Sequence, residues 1–247
     1  MEAKLLREPG GRLLRVGHRG AKGLAPENTM AAFKRGHSLG VDVVETDVHL
    51  TRDGEIVLIH DHTLDRTTDG KGLVKDHTLA ELRALDAGRW FNPAFAGERI
   101  PTLAELLDWA KSSVAVAIEI KNGPIYYPGI AARVIEALRE RDMLRQAILI
   151  SFDHFVLREA RMIDPNVVTG ILYAGRLIDP IAAARAAGAA ALHPAWPYVT
   201  PDLIRSAHEA GLAVSPWCPN ELTPLRVLDA MGVDSVGTDF PDLFDKI

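Results

Sequence analysis

The sequence predicts an α/β fold, a TIM (β/α)8 barrel, from three observations. Short runs rich in Val and Ile alternate with helix-like segments along almost the whole chain, which is typical of a parallel sheet with crossover helices. Nine such runs are present, and one of them follows its predecessor after only the four residues TRDG, too few for a parallel crossover. Without that run, eight parallel strands remain, the number in this barrel.

The predicted elements follow one another in chain order. The strands are RLLRVGH, VDVVETDVHL, EIVLIHD, VAVAIEIK, AILISF, NVVTGILYA, AAALHP, LAVSPWC and DSVGTDF. The helices are NTMAAFKRGHSLG, TLAELLDWAK, IAARVIEALRERDM, FVLREARMID, PIAAARAAG, PDLIRSAHEAG and LTPLRVLDAMG. Several of these helices end at Gly, a common helix stop, and the TLAE at Thr102–Glu105 predicts a capping box.

The second and third strands are predicted to form an antiparallel hairpin. Asp53-Gly54 between them is a strong signal for a two-residue turn. On that register the opposed pairs are Arg52–Glu55, His60–Asp47 and His62–Glu45. Directly opposed side chains lie on one face about 5 Å apart, so His60 is expected beside Asp47.

Residues 62 to about 100 lack the barrel pattern and contain several turns and one short helix. We expect them to form a small inserted subdomain over the carboxyl-terminal mouth of the barrel, within one domain that spans residues 1–247. Long connections in compact domains often shape a binding site.

Composition argues against several classes of protein. The 247 residues carry a net charge of −5, and their 28 basic residues form no long run, so nucleic acid is not an expected partner. Cys218 is the single cysteine, which suits a reducing compartment. No apolar stretch has signal-peptide character or approaches the roughly 20 residues of a membrane span. We therefore expect a cytoplasmic protein with no stable membrane insertion.

Three carboxylates are predicted to point into the barrel mouth. Strand periodicity places Glu45 and Asp47 on one face, and the inward set of a later strand is Ala115, Ala117, Glu119 and Lys121. Crowded carboxylates are costly unless they are protonated or joined by a cation. Oxygen ligands favour one hard divalent cation, Mg²⁺ or Ca²⁺, with Mn²⁺ also suitable. No Cys-His grouping in the sequence indicates zinc.

Two histidines and two cations complete this group. His18 ends the first strand and His60 follows the hairpin, so both are candidates for general acid–base catalysis. Arg19 and Lys121 would bind an anion such as phosphate. Metal-assisted hydrolysis of a phosphodiester would use every one of these groups.

Eight motifs carry a family resemblance. HRG…PENT, ETDVHLTRDGEIVLIHD, RTTDGKG, IPTLAELL, IEIK, SFD, PWCPN and GTDFPDL resemble, in family order, the glycerophosphodiester phosphodiesterase (GDPD) family from about residue 14 to 244. The resemblance implies a TIM barrel that hydrolyses glycerophosphodiesters to an alcohol and sn-glycerol 3-phosphate. It implies an acid/base pair, His18 and His60; metal ligands, Glu45, Asp47 and Glu119; and phosphate contacts, Arg19 and Lys121. The family pattern differs at PWCPN, where we expect Thr or a similar residue at Cys218 and Val before the Trp.

Neighbouring residues receive further predictions. Phe152 and Trp217 end strands and are expected to line the pocket and pack on the glycerol carbons. Glu27 and Asn28 either brace the His18 loop, or Asn28 caps the following helix. Whether water or the 2-hydroxyl of the glycerol attacks phosphorus stays open, as does the assignment of acid and base.

Three more residues are given no catalytic role. His193 is expected to have a structural or rim position. Asp239 closes the last strand and could form a hydrogen bond inside the barrel. Cys218 has no neighbour in the sequence that would lower its pKa, so it is not expected to act as a nucleophile.

Other functions remain to be compared. A related barrel phosphodiesterase would act on lysophospholipid or sphingolipid head groups, by phospholipase D-type or cyclising chemistry, and would need exposed apolar loops at the mouth. Arg89–Gly97 is the one suggestive stretch. An aldolase using Lys121 would need a lowered lysine pKa, which nearby carboxylates oppose. A non-catalytic binding module would not need both histidines and the acidic set.

Overall fold

The computed structural model describes Arg7 and residues 11–247, and within them the chain forms nine strands. They are β1 Leu14–Gly17, β2 Val43–Leu50, β3 Ile56–Leu58, β4 Ala115–Ile120, β5 Ala147–Ser151, β6 Val168–Tyr173, β7 Ala191–Pro194, β8 Ala213–Val214 and β9 Ser235–Thr238. Each lies within a run that the sequence predicts as a strand.

Eight α-helices occur in the same part of the chain. They are α1 Met30–Ser38, α2 Leu79–Arg83, α3 Leu103–Ala110, α4 Ile130–Glu140, α5 His154–Ile163, α6 Pro180–Ala187, α7 Pro201–Glu209 and α8 Leu222–Met231. Short 3₁₀ helices cover Val74–Asp76, Pro93–Phe95, Leu144–Gln146, Trp196–Tyr198 and Pro241–Lys246. Among the described residues, we find no helix with the length and apolar character needed to cross a bilayer.

The helix termini follow the sequence signals. Thr102 accepts a hydrogen bond from the backbone N–H of Glu105, whose side chain returns to the Thr102 N–H, so the predicted capping box is confirmed. Gly188 and Gly232 end α6 and α8 in the left-handed region, at φ +68° and +86°. Glycine adopts this conformation without the steric penalty that a Cβ imposes.

The parallel strands follow one another around a barrel in the order β8, β7, β6, β5, β4, β2, β1, β9. β8 is short, and among the described residues no strand ladder joins it to β9. The β8–β9 seam is instead closed by backbone hydrogen bonds from Asp234 N to Val214 O (3.0 Å) and from Gly237 N to Pro216 O (3.1 Å). The predicted TIM barrel is confirmed.

β3 pairs antiparallel with β2 as predicted, but the predicted register is wrong by one residue. The observed pairs are Val48–Leu58, His49–Val57 and Leu50–Ile56. The Thr51 N–H donates to Glu55 O at 3.0 Å, so the turn holds three residues instead of two. Its last residue, Gly54, lies at φ +82°, the conformation of a type I turn closed by a G1 bulge.

The one-residue shift changes the partner of Asp47. The Ile59 N–H donates to Asp47 O at 3.1 Å, so Ile59, and not His60, lies opposite Asp47. β3 ends at Leu58, and both His60 and His62 therefore lie beyond the ladder. The loop, and not strand pairing, sets the position of the His60 side chain.

The barrel has an apolar outer layer and a smaller apolar interior. The interior cluster consists of Ala117, Ile148, Ile150, Leu172, Ala191 and Ala213. Ala115, Ala117, Glu119 and Lys121 line the same central cavity, as the alternation of β4 predicts. Small side chains low in the barrel leave space beneath the charged residues at the carboxyl ends of the strands.

Residues 62–100 pack around a separate apolar cluster beside the barrel. It joins Leu64, Val74, Leu82, Ala87 and Ile100 to Val57 and Ile59. The residues that line the barrel cavity come from outside this segment. Its Arg66 nevertheless reaches Glu27, next to the mouth. The bounds of an inserted subdomain, and its position over the mouth, stay a prediction.

Candidate active site

Three buried carboxylates meet at the carboxyl ends of β2 and β4. Glu45 and Asp47 alternate along β2, and the parallel register places Glu119 of β4 beside Asp47. One oxygen of each carboxylate lies within 4.8 Å of the others. Each of the three residues is at most 7% exposed, and Asp47 is fully buried.

The pKa values of these carboxylates are pushed apart. Burial and repulsion from the other two carboxylates raise the pKa of Glu45 well above its ordinary range. Burial, together with Asp47, raises the pKa of Glu119 to about 7. Burial alone would also raise the pKa of Asp47, but Lys121 and Arg19 outweigh it and hold that pKa well below its usual range. The cluster thus carries negative charge that positive groups must balance.

Lys121 supplies part of that balance. Its Nζ lies 2.5 Å from Glu119 Oε1 and 3.0 Å from Asp47 Oδ1. Burial would lower the pKa of Lys121, but the two carboxylates outweigh burial and raise it. An ammonium held in its charged form is unsuited to Schiff-base formation, which argues against the aldolase interpretation.

The loop after β1 reaches the same cluster. The Arg19 N–H donates to Glu45 Oε2 at 2.8 Å, and Arg19 Nε lies 3.3 Å from Asp47 Oδ2. Asn28 Nδ2 donates to Asp47 Oδ2 at 2.8 Å. Arg19 and Asn28 both adopt positive φ values, +49° and +56°, so the backbone is bent to bring these groups to the carboxylates.

Of the two interpretations of PENT, the bracing one agrees with the contacts. Thr29, and not Asn28, caps α1, because its side chain accepts a hydrogen bond from the Ala32 N–H. Asn28 holds Asp47 instead, and its Oδ1 also accepts from Thr46 Oγ1 at 2.8 Å. Glu27 accepts a hydrogen bond from the Arg19 guanidinium at 2.7 Å.

His18 lies at the edge of the cluster with a carboxylate behind it. Its Nδ1 lies 2.5 Å from Asp239 Oδ1, and because a carboxylate only accepts, Nδ1 carries the hydrogen. Its Nε2 then faces the cluster, 3.9 Å from Glu45 Oε2. Burial lowers the pKa of His18, and the bond to Asp239 offsets part of that effect.

His60 repeats this arrangement from the hairpin side. Its Nδ1 donates to Asp61 Oδ1 at 2.7 Å, and its ring lines the cavity. Arg66 donates to both oxygens of Asp61 and to both oxygens of Glu27. One guanidinium therefore links the carboxylate behind His60 to the carboxylate that holds Arg19.

The three-carboxylate cluster fits a hard divalent cation. Its donors are all oxygens, the chemistry that Mg²⁺ and Ca²⁺ prefer. Asp47 Oδ1 has an ionic contact to Lys121 but accepts no hydrogen bond of good geometry, although it is buried. A buried carboxylate oxygen without a hydrogen bond is costly, and a bound cation would remove that cost.

The cavity above the cluster has a volume of about 610 Å³ and two unlike walls. The charged wall is formed by the residues described above. On the opposite wall, Phe152 and Trp217 pack edge to face with ring centroids 5.6 Å apart, and Trp196 lies beside them. The structure therefore brings eight of the nine predicted site residues to the lining of one cavity, with Asp47 buried behind the charged wall.

Two contacts are missed by the sequence interpretation. Asp61, the partner of His60, received no role there, and Asp239, expected to form a hydrogen bond inside the barrel, was not linked to His18. His193, expected at a structural or rim position, lies inside the cavity wall with its Nε2 buried and unpartnered, and burial lowers its pKa to about 4. The sequence contains no Cys-His grouping that indicates zinc, but the structure brings ligand atoms of His18, Cys218 and Asp239 within 4.8 Å of one another. The three come from separate loops, so spacing along the chain could not reveal the group.

Comparisons with known proteins agree with this geometry. The chain is 42% identical to a glycerophosphodiester phosphodiesterase of Caldanaerobacter subterraneus subsp. tengcongensis over 228 residues, 92% of this chain and 94% of the relative. It is 35% identical to a glycerophosphodiester phosphodiesterase of Bacillus subtilis over 96% of this chain and 86% of that one.

Solved structures show the same likeness. The glycerophosphodiester phosphodiesterase of Agrobacterium tumefaciens superposes with a TM-score of 0.85 at 30% identity, over 95% of this chain and 100% of that chain. An Oleispira antarctica phosphodiesterase in complex with the product sn-glycerol-3-phosphate gives 0.85 at 29% identity, over 94% and 95%. The model of the Glycerophosphoryl diester phosphodiesterase family matches residues 18–243. The chain therefore belongs to the glycerophosphoryl diester phosphodiesterase family and is an enzyme of that class.

Proposed function

We propose that this enzyme cleaves glycerophosphodiesters to an alcohol and sn-glycerol 3-phosphate with one divalent cation, Mg²⁺ or Ca²⁺, with Mn²⁺ also suitable. The observation that carries the proposal is the pair of histidines, each oriented by a carboxylate through Nδ1, beside one cluster of buried carboxylates. The structure of the Oleispira relative is in complex with the product sn-glycerol-3-phosphate, which supports the choice of substrate.

Glu45, Asp47 and Glu119 would hold the cation, which when bound supplies charge neutralisation at the phosphate and activation of the attacking hydroxyl. Lys121 and Arg19 would contact the non-bridging phosphate oxygens and fix the orientation of phosphorus. Both are already held at the cluster by carboxylates, so little side-chain freedom would be lost on binding.

His18 and His60 would move the protons. Because each Nδ1–H is bound to a carboxylate, each Nε2 is left to exchange a proton with the substrate. One imidazole accepts the proton of the attacking hydroxyl, and the other donates a proton to the departing alkoxide. Their neighbouring aspartates stabilise the imidazolium that forms in the first step.

The test is release of sn-glycerol 3-phosphate from glycerophosphocholine. EDTA should abolish it, and Mg²⁺, Ca²⁺ or Mn²⁺ added singly should restore it. His18→Gln and His60→Gln should each lower kcat by about 10²–10⁴-fold. His37→Gln, on the exposed side of α1, is the matched control. Near-normal turnover in either site variant, or full activity in EDTA, would contradict the proposal.

A second candidate substrate is a lysophospholipid, and the loops around the mouth favour it. Seven large apolar side chains are exposed on the loops and first turns after β4, β5, β6 and β7: Tyr126, Phe152, Phe155, Leu177, Ile178, Trp196 and Tyr198. These strands are neighbours in the barrel, so the side chains rim one side of the cavity. The stretch suggested by the sequence, Arg89–Gly97, exposes Trp90 but adds no residue to the cavity wall.

Comparison of two substrates decides between the candidates. If the acyl chain lies on this rim, partial burial of each side chain is worth about 1 kcal/mol. The double variant Phe155→Ser, Ile178→Ser should then lower kcat/KM for lysophosphatidylcholine by about 30-fold. Glycerophosphocholine turnover should not change. Met162→Ser, equally exposed but at the far end of α5, is the control. Absence of lysophosphatidylcholine turnover in the unaltered enzyme would eliminate this candidate.

A further inference from the structure

Three potential metal ligands of mixed chemistry lie beside the three-carboxylate cluster. A nitrogen of His18, the Sγ of Cys218 and an oxygen of Asp239 all fall within 4.8 Å of one another, and all three residues line the central cavity. A thiol, an imidazole and a carboxylate form a donor set typical of zinc, and a thiolate does not suit Mg²⁺ or Ca²⁺. The two adjacent groups of potential ligands thus differ in the kind of metal ion that their chemistry would suit.

We propose that His18, Cys218 and Asp239 bind Zn²⁺ and that this binding inhibits the enzyme by taking His18 out of proton transfer. His18 Nδ1 and Asp239 Oδ1 become metal ligands. The hydrogen on Nδ1 is released to solvent while Nε2 takes one up, so that His18 stays neutral, and the thiol proton of Cys218 is released to solvent when the sulfur binds. The inhibitory consequence rests on the proposed role of His18, whereas the binding itself does not.

The geometry needs only a small rearrangement. Zinc–ligand distances of about 2.0–2.3 Å place the ligand atoms of a tetrahedral site about 3.3–3.7 Å apart. His18 Nδ1 and Asp239 Oδ1, now 2.5 Å apart, would therefore separate by about 1 Å, within the reach of two side-chain rotations. Because the three residues face the cavity, the fourth position of the site is open to a water molecule.

The charges around the site act in both directions. Lys22 Nζ lies 3.6 Å from Asp239 Oδ2 and opposes a bound cation. Glu45, whose carboxylate lies 3.9 Å from His18 Nε2, favours one. Asn220 donates to Asp239 Oδ2 at 2.9 Å, which leaves Oδ1 as the oxygen directed at the site.

Zinc inhibition at this site differs from simple competition with the catalytic cation at the carboxylate cluster. If zinc acted by replacing the catalytic cation at the oxygen ligands, excess Mg²⁺ would relieve the inhibition. A site that uses a thiolate and an imidazole is not one for which Mg²⁺ competes. Inhibition at His18, Cys218 and Asp239 is therefore expected to persist when Mg²⁺ is raised tenfold above saturation.

The binding test uses Co²⁺ as a spectroscopic substitute for zinc. Because Cys218 is the single cysteine, any thiolate-to-cobalt charge-transfer absorption reports this residue. The absorption should appear on titration of the enzyme with Co²⁺, disappear in Cys218→Ser and in Cys218→Ala, and persist in Glu119→Gln. Thermal melts establish that each variant is folded. Absence of the absorption in the unaltered enzyme overturns the proposal whether or not the enzyme turns over substrate.

The functional test measures zinc inhibition of glycerophosphocholine hydrolysis at saturating Mg²⁺, each protein relative to its own zinc-free rate. Loss of an outer-shell partner costs metal sites about 10–100-fold in affinity, so loss of a direct ligand should raise the half-inhibitory zinc concentration of Cys218→Ser at least about tenfold. Equal zinc sensitivity in the variant, or relief by Mg²⁺, overturns the inhibitory role even if Co²⁺ binds.

Discussion

Asp239→Asn tests most directly how the carboxylate behind His18 sets its proton. The surrounding donors determine how an amide would lie at this position. Asn220 accepts a hydrogen bond from the Asp239 N–H through Oδ1, so its Nδ2 donates to Asp239 Oδ2. Lys22 Nζ lies 3.6 Å from the same Asp239 oxygen. The amide oxygen of the variant must face these donors, and its NH₂ must then face His18.

The consequence is a change in the tautomer of His18. An NH₂ group donates, so His18 Nδ1 becomes an acceptor and the hydrogen moves to Nε2, where it can be given but not taken up. The lost hydrogen bond to a charged group is worth about 1.5–3 kcal/mol. At tenfold per 1.36 kcal/mol, this loss alone lowers kcat by about 10- to 150-fold, and the wrong tautomer lowers it further.

Steady-state release of sn-glycerol 3-phosphate measures this effect. We expect kcat to fall while KM stays within about threefold, because the variant keeps the shape of the cavity. Asp179→Asn, which alters the N-cap of α6 on the outside of the barrel, controls for a general effect of losing one carboxylate. A kcat for Asp239→Asn within threefold of the unaltered enzyme, in a folded protein, would refute the reasoning.

Three further predictions concern metal binding, positioning and stability. The pKa of Glu119 is raised to about 7 from an ordinary 4.5, so the metal-free protein loses stability as pH rises through that interval. The increase in Tm caused by Mg²⁺ or Ca²⁺ should therefore be larger at pH 8 than at pH 5. An equal increase at both pH values would count against the metal cluster. Arg66→Met removes four hydrogen bonds to two carboxylates and should lower kcat by about 10-fold or more, whereas Arg99→Met, in the same segment with bonds only to backbone oxygens, should not. Thr102→Ala breaks the capping box with Glu105 and should cost about 1 kcal/mol, about 2–4 °C in Tm, with kcat unchanged; a change in kcat would show that α3 affects the site.

The sequence is sufficient to predict the barrel because its signals are local. Alternating strand and helix patterns, Gly helix stops and the TLAE capping box each depend on residues within one element. The predicted hairpin register is wrong by one residue because Gly54 forms a G1 bulge. A three-residue turn has the same Asp-Gly signature as a two-residue turn. One extra residue shifts every opposed pair.

In the candidate site, too, local patterns could be predicted from the sequence and contacts between distant residues could not. Glu45, Asp47 and Glu119 could be grouped because strand periodicity and adjacent strand ends bring them together. The His18–Asp239 pair joins residues 221 positions apart, and only closure of the barrel between β1 and β9 brings them into contact. Thr29 caps the helix, and Asn28 instead donates a hydrogen bond to Asp47. The local sequence pattern around Asn28 does not reveal this distant partner.

Arg66 connects the segment 62–100 to the loops of the candidate active site. The segment packs on its own apolar cluster and contributes nothing to the cavity wall, yet its guanidinium joins the loops that hold His60 and Arg19. The length and the other side chains of this segment could therefore change during evolution, provided that the guanidinium of Arg66 is retained at the same point. Exchange of the segment between relatives would then leave the loops that hold His60 and Arg19 joined.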